Sequence, residues 1–298
     1  MSHHHSHTHK QNYNKAFLIG IILNVAYVIV ELVFGVIIKS MALIADAGHN
    51  FSDVLGLLMA WGATYLAQSP VTNNRTYGMR KSTIIAALLN AIILFIAIGA
   101  IVIESIRKVI YPVPVAGTTM MIVASIGVII NTITALMFMR GREKDLNIRG
   151  AFLHMAADAG VSLGVVAAGF LISITGFYLL DPIMSIIIVI VISVGTWGLL
   201  KDSFHLSMDA VPRTIQLDTV KDYLASLSGV KEVHDLHIWA MSTTETALTV
   251  HLVMPDGLDD DKFLNNVCCV LHEKFGIEHS TLQIEKSAHS HTCNDENV

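Results

Sequence analysis

The run "TIIAALLNAIILFIAIGAIVIESI", residues 83–106, carries a single ionisable side chain, Glu104, near its end. At 1.5 Å per residue, a helix of this length covers about 36 Å, more than the ~30 Å hydrocarbon core of a bilayer. Five further apolar blocks accompany it, at roughly 16–38, 41–66, 117–139, 150–173 and 181–200. Core helices of water-soluble proteins seldom reach that length six times in succession. The pattern therefore predicts a polytopic α-helical membrane protein with six transmembrane helices. Composition agrees: of 298 residues, 53% are hydrophobic and 14% charged, and the mean hydropathy is +0.59.

Basic residues in the connections predict the orientation. Lys10, Lys15, Arg75, Arg80, Lys81, Arg140, Arg142, Lys144 and Arg149 fall on one side, against Lys39, Arg107 and Lys108 on the other. Nine against three puts both termini in the cytoplasm of a multi-pass protein of the inner or plasma membrane. The net charge of −5, without a basic, aromatic-laced patch, gives no reason to expect a nucleic-acid partner. The first apolar run is too long for a cleavable signal peptide and lacks a small-residue cleavage site. Three cysteines, none spaced CxxC, argue against a disulfide framework or a zinc ribbon.

Past Leu200 the composition becomes that of a soluble domain. Residues 214–228 have the period of an amphipathic helix, with Ile215, Val220, Tyr223, Leu224 and Leu227 on one face. "VKEVHDLHIWAM" and "TALTVHLVMP" alternate with strand period, and "DDDKFLNNVCCVLHEKFG" reads as a helix with an acidic start and a Gly stop. "HSTLQIE" closes the domain as a last strand. The order αββαβ predicts a small α+β sandwich with helices on one sheet face. The resulting division is a His-rich tail at 1–14, a transmembrane domain at 15–202, a cytoplasmic α+β domain at 203–287 and a second tail at 288–298. "MSHHHSHTHK" holds five His, and "AHSHTC" offers His289, His291 and Cys293. Both tails read as disordered, weakly zinc-capturing and dispensable.

The chemistry lies in the second and fifth blocks. "ALIADAGHNFSD", residues 42–53, places His49 and Asp53 four apart, and "LHMAADAG" repeats the spacing with His154 and Asp158. On a helix each pair shares one face, a turn apart. An ionisable group in a span costs roughly 2.5–3.5 kcal/mol on insertion scales, so it needs a partner or a function. One His–Asp pair could be an interhelical hydrogen bond. Two matched pairs, at overlapping depths in the lower middle of the bilayer, favour a shared site. Two imidazole nitrogens and two carboxylates supply the four ligands of tetrahedral zinc. Two Asp anions also neutralise one divalent cation, and the emptied site regains neutrality by taking up protons. Metal and protons then compete for the same lone pairs. Asp46, a turn from His49, lacks a counterpart in the fifth block and reads as an auxiliary group near an outer vestibule. Asn24, Glu31, Asn90 and Asn131 read as interhelical hydrogen-bonding groups or vestibule lining, and Asp181-Pro182 as the N-terminus of the sixth helix.

With "SMALIADAGHNFSDVLGLL", "NIRGAFLHMAADAGVSLGVV" and "VHDLHIW" in view, the chain resembles the zinc-transporting branch of the cation diffusion facilitators, over nearly its whole length. The resemblance implies a homodimer whose cytoplasmic domain is ferredoxin-like, of the metallochaperone type. It implies zinc export by alternating access against inward proton flow, with Cd²⁺ or Co²⁺ tolerated, and transport ligands at His49, Asp53, His154 and Asp158. It also implies a cytoplasmic, regulatory zinc site at His234, His251 and Glu285, with His279, His237 and His272 as further candidates. Some members bind metal in the loop between the second and third spans. Here "AQSPVTNNRTYGMRKS" has neither Asp nor His, and no metal is expected there. Two other classes compete with a transporter, which is not an enzyme. A membrane-anchored zinc sensor would depend more on the cytoplasmic His and Glu residues than on the intramembrane ones. A metal hydrolase would need an open ligand position and a general base, and the chain has no HExxH.

Overall fold

The protein is seen in a computed structural model that describes residues 14–139, 146–257 and 261–287. The two His-bearing tails lie outside these residues. Six long helices come first: α1 (Asn14–Ile37), α2 (Met41–Ala67), α3 (Ser82–Ile110), α4 (Gly117–Phe138), α5 (Leu146–Thr175) and α6 (Leu180–Ser207). A small mixed domain follows: α7 (Leu217–Ala225), β1 (Glu232–Ala240), β2 (Thr246–Val253), α8 (Lys262–Phe275) and β3 (His279–Glu285).

Four helices, α3 to α6, are long and apolar enough to cross a bilayer. In α1 the described apolar stretch is the shorter Ile22–Ile37, and α2 has the length but is diluted by Asp46, His49, Asn50, Ser52 and Asp53. Only 17–39% of the most apolar window of each of the four spans is buried. Ile96, Ile103, Ile122 and Val194 stand exposed. An apolar surface of this extent would associate in water and is satisfied by lipid, while the helical backbone keeps its own hydrogen bonds. The chain is a multi-pass membrane protein.

The chain forms two compact units, one from residues 1–57 and 92–196, the other from 58–91 and 197–298. In the first, Leu43, Leu94, Ile98, Met120, Val123, Val165, Ile172 and Ile188 belong to one apolar core. Where α4 meets α5, Gly117 and Gly169 let the backbones touch. A Cβ on Gly117 would stand 2.6 Å from the Gly169 carbonyl oxygen, and one on Gly169 would stand 2.8 Å from the Met121 nitrogen. Helices in lipid associate largely through such close van der Waals approach of small residues. The α1–α2 turn is closed by Lys39 in the left-handed region (φ 57) and by the Ser40 N–H donating to the Gly35 carbonyl at 2.8 Å.

Asp181 does more than start its own helix. Its carboxylate accepts hydrogen bonds from the Met41 and Ala42 N–H groups at 2.7 and 3.2 Å and from the Ser40 hydroxyl. It thereby satisfies free donors at the start of α2, some 140 residues away in the chain. The helix it belongs to begins one residue earlier, at Leu180.

In the second unit the sheet order is β1-β2-β3, with β1 and β2 antiparallel and β2 and β3 parallel. Alternate β2 residues Leu248, Val250 and Leu252 are buried in one core with Val220 and Leu224 of α7 and Val267 and Leu271 of α8. Both helices therefore cover one sheet face, as the αββαβ order predicts. The opposite parity of β2 carries Thr249, His251 and Val253. Register places His234 opposite His251, and Val253 beside Glu285. Between His234 and His237 the β1 register shifts, and Asp235 takes a positive φ of 50°. This bulge turns Asp235 and His237 back toward His251.

Candidate metal centre

A period of 3.6 residues puts His49 and Asp53 on one stripe of α2 and His154 and Asp158 on one stripe of α5. The two stripes face each other. His49 Nε2 lies 3.3 Å from Asp158 Oδ1, and His154 Nε2 lies 3.2 Å from Asp53 Oδ2. Within each helix the separations are longer, 3.9 Å from His49 Nδ1 to Asp53 Oδ2 and 3.6 Å from His154 Nε2 to Asp158 Oδ2. The imidazole rings stand edge to face with centroids 6.1 Å apart.

These lengths have a simple yardstick. Ligand atoms about 2.05 Å from a tetrahedral zinc are about 3.3 Å from one another. Asp53, His154 and Asp158 each offer an atom within 4.8 Å of the other two. His49 turns a different nitrogen to each carboxylate, so joining the other three on one ion takes a rotation of its ring. The Asp53 and Asp158 Oδ2 atoms are buried without a hydrogen-bond donor of good geometry. Buried carboxylate oxygens in that condition have lone pairs to give to a cation. Asp158 is nearly sealed, whereas His154 and Asp53 remain 43% and 38% exposed, so the cluster is open on one side.

Asp46 differs from the expected vestibule group. It is wholly buried and accepts a hydrogen bond from the Ser162 hydroxyl at 2.9 Å. Three residues before His49, it is rotated off that stripe toward Ser162 of α5. Glu31 is equally buried, with its Oε1 accepting from the Tyr27 hydroxyl at 2.8 Å. Asn131 is buried and neither of its amide atoms has a hydrogen-bond partner.

A second cluster lies on the open face of the sheet. His251 Nδ1 is 3.0 Å from Glu285 Oε1, and His234 Nε2 is 3.1 Å from Glu285 Oε2. The two imidazoles meet at 5.1 Å. Burial pushes the Glu285 carboxyl up, but hydrogen bonds with Gln283 and His234 and the charges of His251 and His234 outweigh it and hold it below the ordinary glutamate range. Asp235 and Gln283 belong to this cluster and escaped sequence reasoning. Asp235 Oδ2 is 3.3 Å from His251 Nε2, its Oδ1 is 2.8 Å from His237 Nε2, and Gln283 donates to Glu285 at 2.9 Å. The signal for Asp235 was its place between two His in "VHDLHIW", but strand alternation alone would turn it away. The bulge brings it back. His279 stands apart, six residues and therefore about 20 Å from Glu285 along β3. Its ring packs edge to face on Tyr77 at 5.5 Å.

Residues 17–206 match the family model described as the cation efflux transmembrane domain, and residues 212–287 match that of the cation efflux protein cytoplasmic domain. The chain is 34% identical over 290 residues to the cadmium, cobalt and zinc/H(+)-K(+) antiporter of Bacillus subtilis, covering 96% of this chain and 93% of the relative. It is 35% identical to the metal cation efflux system protein CzcD of Cupriavidus metallidurans, covering 94% and 89%. With the zinc transporter ZitB of Escherichia coli it shares 33% identity, covering 98% and 96%. Both domains and nearly the whole length are thus matched by cation-efflux family models and by relatives named as transporters. The chain belongs to the cation diffusion facilitator family, in its zinc-transporting branch.

Proposed function

We propose that this protein exports zinc, with cadmium or cobalt as alternative cargo, in exchange for protons, by alternating access around His49, Asp53, His154 and Asp158. The observation that carries the reading is the crossed pairing of two HxxxD stripes, His49 to Asp158 and His154 to Asp53, at 3.3 and 3.2 Å. Crossed pairing ties α2 to α5 through the ligand groups themselves. A relative movement of the two helices would therefore change the geometry of the cargo site. Two carboxylates cancel the charge of one divalent ion, and protons replace that ion when it leaves. Imidazole ligands favour zinc over manganese.

The protein acts as a homodimer in the cell membrane, with both termini cytoplasmic. Residues 15–202 form its transport domain and 203–287 its cytoplasmic domain. His234, His251 and Glu285 form a regulatory zinc site there, with Asp235 as an additional ligand candidate. Calorimetric titration of the full chain in detergent tests the assignment. The His49→Ala/Asp53→Ala variant should lose one class of zinc site while retaining the cytoplasmic class. Variants of His234, His251 and Glu285 should do the reverse and leave basal transport measurable. Zinc binding by the wild type without any transport, lost in the cytoplasmic variants and kept in the His49→Ala/Asp53→Ala variant, would favour a membrane-anchored sensor instead.

A further inference from the structure

Two further groups extend the meeting of α2 and α5 by one level. Ser162 lies four residues beyond Asp158 on α5, and Asp46 three residues before His49 on α2. Residues three and four apart on a helix are neighbours, and the Ser162 hydroxyl donates to Asp46 Oδ2 at 2.9 Å. The helices therefore meet at three successive polar levels: Asp53 with His154 at 3.2 Å, His49 with Asp158 at 3.3 Å, and Asp46 with Ser162. Burial deepens in that order. The side chains of the first level are 38% and 43% exposed, those of the second 20% and 3%, and both residues of the third 0%.

Beyond the third level the two helices close on apolar side chains. Leu43 and Ala45 of α2 and Val165 and Ala168 of α5 are buried in one core. Further on in the same direction, the start of α2 is capped by Asp181 of α6. With both termini cytoplasmic, as proposed above, this sealed direction leads outward and the exposed level faces the cytoplasm. One carboxylate and one neutral hydroxyl fall short of the donor set that zinc takes. Packing alone does not account for the pair either, since an apolar pair would fill the space without leaving Asp46 Oδ1 buried and unpartnered. Passage of a cation does account for it. An ion crossing an apolar wall is costly unless an oxygen ligand meets it there. Hydrogen bonds between helices in lipid are individually weak, so the contact can part.

We propose that the Asp46–Ser162 hydrogen bond is the outer gate of the transport path, holding α2 and α5 together on the far side of the metal ligands and parting when the metal leaves outward. The inference rests on the transport reading and its topology, and adds the two residues that close the exit. With the gate closed, Ser162 occupies Oδ2. When the helices separate there, both Asp46 oxygens face the opening and offer the leaving cation a carboxylate. Asp46 thus acts after the four ligands and is not a fifth ligand of the bound ion.

The test places a cysteine beyond the gate, at Val165, which is fully buried three residues past Ser162. The full chain carrying Val165→Cys is treated in right-side-out membrane vesicles with a membrane-impermeant maleimide, the labelled peptide is identified by mass, and zinc binding is measured in detergent. Labelling at position 165 should be slow in this parent and rise severalfold when Ser162→Ala or Asp46→Ala is added. Ser162→Thr, which keeps the hydroxyl, should label as slowly as the parent. Zinc inside the vesicles with an inward pH gradient should speed labelling of the parent itself, because the gate opens in every cycle. Unchanged labelling in alanine variants that bind zinc would overturn the proposal, and so would an equal rise in Ser162→Thr, the mark of loosened packing. A parent that labels no faster during transport would overturn it whether or not the alanine variants fold. Labelling of the native Cys268 or Cys269 from the outer face would instead overturn the topology, and a parent that binds no zinc would overturn the transport reading.

Discussion

At His49 one imidazole faces two carboxylates with different nitrogens, at 3.3 Å to Asp158 and 3.9 Å to Asp53. Only one nitrogen can serve a given ion, so in the proposed site the ring must choose, and Asp158 is the most buried of the four groups. Asp158→Asn keeps the volume but loses the charge, and should weaken zinc binding at the membrane site by at least about tenfold, equivalent to 1.4 kcal/mol. Calorimetry on the chain with the cytoplasmic ligands removed measures this directly. Glu285 supports a pH prediction of definite sign. Its carboxyl is held below the ordinary range, so it contributes stability that is present above the unfolded-state pKa of about 4.3 and lost as pH falls through the folded value. Denaturation followed by Trp239 fluorescence, with Trp61 and Trp197 replaced by Phe, should show the cytoplasmic domain weakening below about pH 4.5. Glu285→Gln should flatten that dependence. The two facing His–Asp stripes were legible in the sequence because His and Asp four apart in an apolar run are conspicuous. Asp235 was not, because its direction depends on a bulge that strand alternation cannot foretell.

Among the elements, the start of α2 depends on a carboxylate from α6. Asp181→Ala removes three accepted hydrogen bonds at once and leaves two backbone N–H groups buried without a partner. A charged cap of this kind is worth about 2 kcal/mol, and thermal unfolding in detergent should register the loss, with Asp181→Asn intermediate. The α4–α5 crossing makes a second prediction. Gly169→Val places methyl groups where backbone atoms of α4 already stand, 2.8 Å from a Cβ. The helices should separate, and the variant should be less stable than Asp181→Ala. Long apolar runs and strand alternation announced most elements: β3 falls on the residues of "HSTLQIE", and α4 begins where its apolar block begins. α3 and α6 run to Ile110 and Ser207, past the ends read for their blocks. Backbone hydrogen bonding continues into polar residues after hydropathy has fallen. No local pattern shows that Asp181 serves another helix, since the contact spans some 140 residues.

For the whole molecule, the sequence conveyed a membrane domain followed by a small α+β domain, because solvent preference is written into composition. The rotation of one apolar helix against another is written far less clearly. Glu31 and Asp46 therefore read as scattered polar groups, although each is fully buried on a hydroxyl partner, Tyr27 of the same helix for Glu31 and Ser162 of α5 for Asp46. In the proposed function, the carboxylates shared between α2 and α5 exchange a metal for protons. The direct measurement is zinc flux into sealed vesicles reconstituted with the full chain, under an imposed pH gradient, with internal pH recorded at the same time. The account predicts zinc movement that requires the gradient, proton movement in the opposite direction, and loss of both in Asp158→Asn to the level of protein-free vesicles. Zinc flux in Asp158→Asn equal to wild type, or zinc flux with no accompanying proton movement, would contradict it.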